Sequence, residues 1–417
     1  MKKRDGRKSA ETGPVVDEQA AVERVMALMP VRGTSGHERE VAEWIRQRLL
    51  EAGARPEQIS MDQVNRRSPL LDGGGDCGNL VFRLRGTVRA PRRMLCAHMD
   101  TVPLCVGSKP VRRGDRVTPA GPATALGADD RTGCAVTLTA AVEILRRGLP
   151  HPPLTFLWTV QEEVGMYGVR MASLGAMGSP KMVFNWDGGH PGTLVTGATG
   201  SCSMEAVIHG LASHAGGEPE RGVSAAAIFG LAMSDLVRNG WHGLVLKDGL
   251  RGTSNIGVVR GGDATNVVMD RLEVQAEARA QDRGLRRRIV EAFQAAFEAA
   301  AKRVRNKAGV CGRVTWNVQD KYDAFVLAAG EPCVLEAERA VRTSGTEPDR
   351  RISNAGLDAN WLNARGLPTV TLGTGMSGAH TVSESLSIDQ YLAACRVALC
   401  LATEDGRTCS AGAGRKR

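Results

Sequence analysis

Apolar positions along this chain gather in short, nearly unbroken runs: NLVFRL (79–84), MLCA (94–97), LTFLWTV (154–160), MVFNW (182–186) and TVTL (369–372). Runs this short, without alternation, predict strands covered on both faces. Between them the apolar period lengthens to that of helices, as in CAVTLTAAVEILRR (134–147) and CVLEAERAVR (333–342). Near the N-terminus, Val41, Trp44, Ile45 and Leu49 share one helical face and Gly53 stops it. Ser35 and Glu38 read as a capping box ahead of that helix. Strands alternating with helices predict an α/β domain around a central, mostly parallel sheet flanked by helices.

From about 200 to 316 the pattern changes. SCSMEAVIHG and RLEVQAEARAQ alternate with the period of half-exposed strands. GVSAAAIFGLAMSDLV and LRRRIVEAFQAAFEAAAKRV read as helices on one side of them. The expected organisation is a larger α/β domain made of 21–199 and 317–402, interrupted by a smaller α+β insert at 200–316. Tails at 1–20 and 403–417 are polar and expected to be disordered.

A length of 417 residues agrees with more than one core. No apolar run approaches the roughly 18 residues that span a bilayer, so no membrane association is expected. MKKRDGRKSAETG is followed by no apolar stretch, so it does not read as a secretory signal. Ten cysteines with no CxxC pair suit reduced thiols and a cytoplasmic setting. The net charge of +9 suggests nucleic acid, but its distribution argues otherwise. Residues 1–11 hold five Lys/Arg against two acids, and 404–417 hold four against two, so the tails carry five of the nine charges. With 4% aromatics a base-stacking surface is poorly supplied, and no nucleic-acid partner is expected.

The chemistry gathers where the strands stop. His98 and Asp100 follow MLCA. Glu162 and Glu163 follow LTFLWTV and Gln161. Asp187 follows MVFNW, and His380 lies beyond TVTL and a glycine-rich loop. Asp129 and Asp130 sit in LGADDRTG, just before a helix. In open α/β sheets ligands bind beyond the carboxyl ends of the strands, so these groups can converge. Carboxylates crowded together with two imidazoles would repel unless divalent cations offset the charge, and this donor mixture suits zinc. Adjacent strand residues point to opposite faces, so Glu162 and Glu163 are expected in irregular backbone, one on metal and one beside water. Each piece alone has an ordinary explanation as a cap, turn or solvated strand end. Cys96 and Cys134 read as small core residues. The recurrence at successive element ends is what singles the set out.

At this point the sequence resembles the dinuclear zinc peptidases related to tripeptide aminopeptidase (peptidase T), carboxypeptidase G and aminoacylase. The motifs are AHMDTV (97–102), LGADDRTG (126–133), TVQEEVGMYG (159–168), NWDGG (185–189) and GAHTVSESL (378–386). ASHAGGEPERGVSA (212–225), SNIGVVRGGDATNVV (254–268) and GLDANWLNARGLPTVTLG (356–373) extend the match to about 21–400. The resemblance implies two zinc ions per subunit, with cobalt or manganese as possible substitutes. It implies one ion on His98, Asp129 and Asp187, and the other on Asp129, Glu163 and His380. Asp100 would orient His98, and Glu162 would take a proton from the bridging water and pass it to the leaving amine. The insert would be a lid and dimerisation domain, giving a homodimer through 200–316. His214 would steady the oxyanion of a neighbouring active site, Arg279 would hold a substrate carboxylate, and Asn255 would add a polar contact. Arg131 stands where many relatives have lysine.

The expected activity is removal of the N-terminal residue from short peptides. The alternatives within the same family are an N-acyl amino acid amidohydrolase and a carboxypeptidase. Outside it stand nucleic-acid binding by the basic tails and a non-catalytic metal-binding module, against which the intact Glu162 speaks.

Overall fold

The computed structural model describes residues 15–67 and 74–403. The basic segments 1–14 and 404–417 lie outside the described residues. The chain is already helical from Glu18, where the Asp17 carboxylate accepts from the Ala20 amide as an N-cap. Two compact units result. One comprises Met1–Thr196, Leu327–Arg351 and Leu357–Arg417, the other Gly197–Val326 and Ile352–Gly356.

The first unit is built on a mixed sheet. Its centre runs Leu154–Thr159, Arg93–His98, Met182–Trp186, Thr369–Leu372, each parallel to its neighbour. Leu80–Leu84 pairs antiparallel with Leu154–Thr159, and Ile59–Met61 lies outside it. The start of the Thr193–Ala198 strand is antiparallel to Thr369–Leu372. Every residue of the four central strands is buried, so both of their faces are covered. The helices Ala128–Arg147, Pro332–Thr343 and Ile388–Ala402 pack together and on these strands. Phe82, Phe156 and Trp158 stack in the interior, and the Trp158 indole donates to the Thr137 hydroxyl at 2.9 Å. Burying each such ring contributes roughly 1.5–3 kcal/mol.

The capping box expected at Ser35 and Glu38 is not formed. The helix runs Arg39–Glu51 with no side-chain cap. The Ser35 hydroxyl donates instead to the Asp100 carboxylate at 2.6 Å, and Glu38 accepts from the Gly36 and Gln161 amides. The S-x-x-E spacing is the same in both cases. Long-range polar partners outcompete the local helix end here.

The second unit is a five-stranded antiparallel sheet in the order Gly243–Lys247, Leu250–Gly261, Arg271–Ala280, Gly200–His209, Arg313–Tyr322. Alternate residues of Gly200–His209 and Arg271–Ala280 are buried. The helices Ala225–Arg238 and Arg283–Arg303 supply Ile228, Ala232, Phe293 and Phe297 to the same core. This unit runs on to Val326 rather than stopping at 316, because Arg313–Tyr322 is its fifth strand.

Candidate metal centre

In the first unit, the charged groups sit at the ends of buried strands and at the head of a helix, except His380, which takes a positive φ of 64° in the turn between the short strands Met376–Ser377 and Ser385–Ser387. Arg93–His98 ends on His98, Met182–Trp186 leads to Asp187, and Leu154–Thr159 leads to Glu162 and Glu163. Gln161 and Met166 both take positive φ near 56°, so the chain leaves the sheet at once and the two glutamates lie in a turn. Gly168 closes that turn. A Cβ there would lie 2.4 Å from the Val160 carbonyl and 2.5 Å from the Asn79 carboxamide oxygen. Asp129 and Asp130 have non-helical dihedrals, and the peptide between them is cis.

Two groups of ligand atoms form, each within 4.8 Å of one another: His98, Asp129 and Asp187, and Asp129, Glu163 and His380. Asp129 is common to both. His98 Nε2 lies 3.2 Å from Asp129 Oδ1 and 3.8 Å from Asp187 Oδ1. His380 Nε2 lies 3.2 Å from Asp129 Oδ2 and 2.8 Å from Glu163 Oε2.

Asp100 ties this cluster together. Its main-chain carbonyl lies 3.1 Å from His98 Nδ1, and its carboxylate is 3.4 Å away. The carboxylate accepts from the Glu162 amide at 2.9 Å and the Glu163 amide at 3.1 Å. One buried acid thus orients the imidazole and fixes the backbone of both glutamates.

The electrostatics are those of crowded charge. Burial first, then neighbouring carboxylates, pushes Asp187 and Glu162 well above the usual carboxylate range, and Glu163 moves up for the same leading reason. Burial would depress His98, but its hydrogen bonds to Asp100 and Asp129 outweigh it and raise the imidazole well above its ordinary value. Hydrogen bonds to Asp129 and Glu163 lift His380 to about 10. Burial opposes ionisation of Asp129, yet bonds from both histidines hold it below the usual range. Most of these shifts favour retaining protons within the cluster. Two imidazoles and three carboxylates in two overlapping groups fit a pair of borderline divalent ions, which would replace those protons.

The second unit carries the remaining expected residues. His214 is exposed, and its Nδ1 accepts from the Gly216 and Gly217 amides at 3.1 and 2.9 Å. That leaves Nε2 as the protonated, outward nitrogen. Arg279 forms a two-pronged pair with Glu277, at 3.0 and 2.9 Å, and donates to the Asn354 carbonyl. Asn255 lies opposite Glu277 in the sheet.

Several site residues were given no role from the sequence. Asp130 accepts from the His98 amide at 3.1 Å. Asp358 is buried, accepts from Thr159, and is pushed by burial to about 6. Glu384 is the most telling. Its buried carboxylate accepts from the amides of Leu126, Gly127 and Asp129 at 2.8, 2.8 and 2.9 Å. It therefore holds the loop that presents the shared ligand. Its signal was an acid four residues after His380 in the same motif. Glu384→Gln puts an amide donor against backbone donors. Supporting groups of this kind are worth about 10–100-fold in metal affinity. A drop of that size in chelator competition, with an unchanged far-ultraviolet spectrum, is expected.

The profile of peptidase family M20/M25/M40 matches residues 94–404. The uncharacterised protein YqjE of Bacillus subtilis is 29% identical over 378 residues, 91% of this chain and 96% of that protein. Among solved structures, a tripeptidase from Staphylococcus aureus superposes with a TM-score of 0.83 at 28% identity, covering 94% of this chain and all of that one. Aminopeptidase PepT from Bacillus cereus gives 0.78 at 28%, covering 93% and 98%.

Proposed function

The chain belongs to peptidase family M20/M25/M40, and from that premise we propose that this peptide hydrolase is a zinc-dependent aminopeptidase releasing the N-terminal residue of short peptides. The observation that carries the reading is the pair of three-ligand groups sharing Asp129, with Glu162 alongside and in neither group. Likeness to a tripeptidase and to PepT supports the choice of substrate.

His98, Asp129 and Asp187 would hold one ion, and Asp129, Glu163 and His380 the other. Bound there, two divalent ions supply Lewis acidity, polarising the scissile carbonyl and lowering the pKa of water. Glu162 does the proton work. Its carboxylate takes a proton from the attacking water and passes it to the leaving amine nitrogen. Burial keeps its basicity high enough for that task. Asp100 holds the Glu162 and Glu163 backbones in place. His214, with its outward Nε2–H, would donate to the developing oxyanion of a partner subunit. Arg279 and Asn255 would meet the far end of the substrate.

The dimer of this reading uses residues 200–316. The edge strand Gly243–Lys247 exposes Leu244 and Leu246, a surface suited to pairing. Sedimentation is expected to give twice the chain mass, and a fully active monomer would refute the shared-site role of His214. Free thiols among the described residues agree with a cytoplasmic setting.

The test is to incubate zinc-loaded protein with dipeptides, tripeptides and N-acyl amino acids and identify products by mass spectrometry. Release of N-terminal residues from free-amine tripeptides alone supports the proposal. Cleavage only of acylated substrates or carboxyl-terminal bonds would move the protein to the amidohydrolase or carboxypeptidase reading.

A further inference from the structure

In the same unit as the paired clusters lies another group of ligand atoms. One carboxylate oxygen of Glu38, one of Asp76 and Sγ of Cys77 lie within 4.8 Å of one another. Glu38 is fully buried and Cys77 nearly so. Glu38 Oε1 accepts from Gly36 and Gln161, while Oε2 is buried with no hydrogen-bond partner among the described residues. The Gln161 side chain is also fully buried, and both its carboxamide atoms lack partners there. That carboxamide lies against Gly75, the second residue before Cys77. A Cβ at Gly75 would come within 2.6 Å of Gln161 Nε2.

The backbone around the group is fixed. The Asp76 amide donates to the Gly36 carbonyl at 2.9 Å, and the Arg39 amide donates to Asp76 Oδ1 at 3.1 Å. Unpartnered buried polar atoms each carry a desolvation cost. One such atom belongs to an acid of the group, and the others lie against the glycine that precedes Asp76, which points to a ligand.

We propose that Glu38, Asp76 and Cys77, with the Gln161 carboxamide oxygen as fourth donor, form a third ion site for a zinc-class divalent cation. One thiolate among oxygen donors selects a borderline metal over magnesium or calcium. Binding releases the Cys77 thiol proton to solvent. The ion would tie the loop at 74–77 to the head of the Arg39–Glu51 helix and to Gln161, one residue ahead of Glu162. Its role is structural, acting on the position of the turn that carries the base.

The thiolate makes the site separable from the other two, which contain no sulfur donor. Full-length protein stripped by chelator is titrated with Co2+, read by elemental analysis and near-ultraviolet absorption. Three ions per chain and a sulfur-to-cobalt charge-transfer band are expected. Cys77→Ala should lose one ion and the band, whereas Cys105→Ala should keep both. Asp76→Ala, at a partly exposed position, should weaken the third ion at least tenfold and serves if Cys77→Ala does not fold. Two ions and no band in the unaltered protein would overturn the proposal, as would a band surviving in Cys77→Ala or lost in Cys105→Ala. None of these readings depends on what the enzyme cleaves.

Discussion

Glu162→Gln is expected to remove nearly all turnover while leaving fold and ion content intact. The backbone at 162 is held by Asp100 whatever the side chain is. The Glu162 carboxylate belongs to neither three-ligand group, so its loss removes no metal donor. Glutamine has almost the same shape and no charge, and neutralising a group raised well above its usual range by burial costs the fold little. What disappears is a base able to take and return a proton. General acid–base catalysis contributes about 10²–10⁴-fold. A fall in kcat of about 10³-fold or more is therefore expected, with KM little changed. The measurement is kcat on the best tripeptide together with metal content by elemental analysis. A variant retaining a tenth of the original kcat would refute the assignment of Glu162 as the base.

Stripping the ions is expected to destabilise the protein, and more so as pH rises. Asp187, Glu162 and Glu163 are raised, chiefly by burial, from ordinary values of 3.8 for Asp and 4.5 for Glu. Their contribution to stability is present below the unfolded values and is lost as pH climbs through the folded ones. The histidines act in the same direction. His98 is raised, and His380 moves from 6.5 to about 10, so the bonds of their protonated forms are lost as pH rises through that range. Asp129 and Asp100 are lowered and pull the other way, but only below about pH 4. Above about pH 5 the slopes of this cluster share one sign. Bound ions replace the protons and remove most of that slope. An ion present at a thousandfold its Kd contributes about 4 kcal/mol. Thermal unfolding of stripped and zinc-loaded protein should therefore diverge between about pH 5.5 and 8.5. Parallel curves would show that the cluster holds no ions.

Much of this molecule was legible because the interior strands are apolar without interruption. Val160 and Trp186 are followed almost at once by charge, and such a break in a buried strand has few explanations other than a site. The convergence of His98, Asp129, Glu163, Asp187 and His380 follows from strand order, which the local pattern does not encode but the motif set does. The sequence was silent or misleading where a residue acts through backbone far away. Ser35 and Glu38 have capping-box spacing, yet their side chains turn to Asp100 and Gln161. Glu384 holds amides more than two hundred residues earlier, and no periodicity announces that. The antiparallel setting of Leu80–Leu84 was equally hidden, since a covered strand reads alike in either direction.

His380 and Glu384 enter the first unit only after the whole second unit has been made. A chain ending short of His380 holds all three members of the group His98, Asp129 and Asp187 but lacks one of the group Asp129, Glu163 and His380, and the loop bearing Asp129 is without its anchor. Made from its N-terminus, the chain can complete the pair of overlapping groups only after both units have been synthesised.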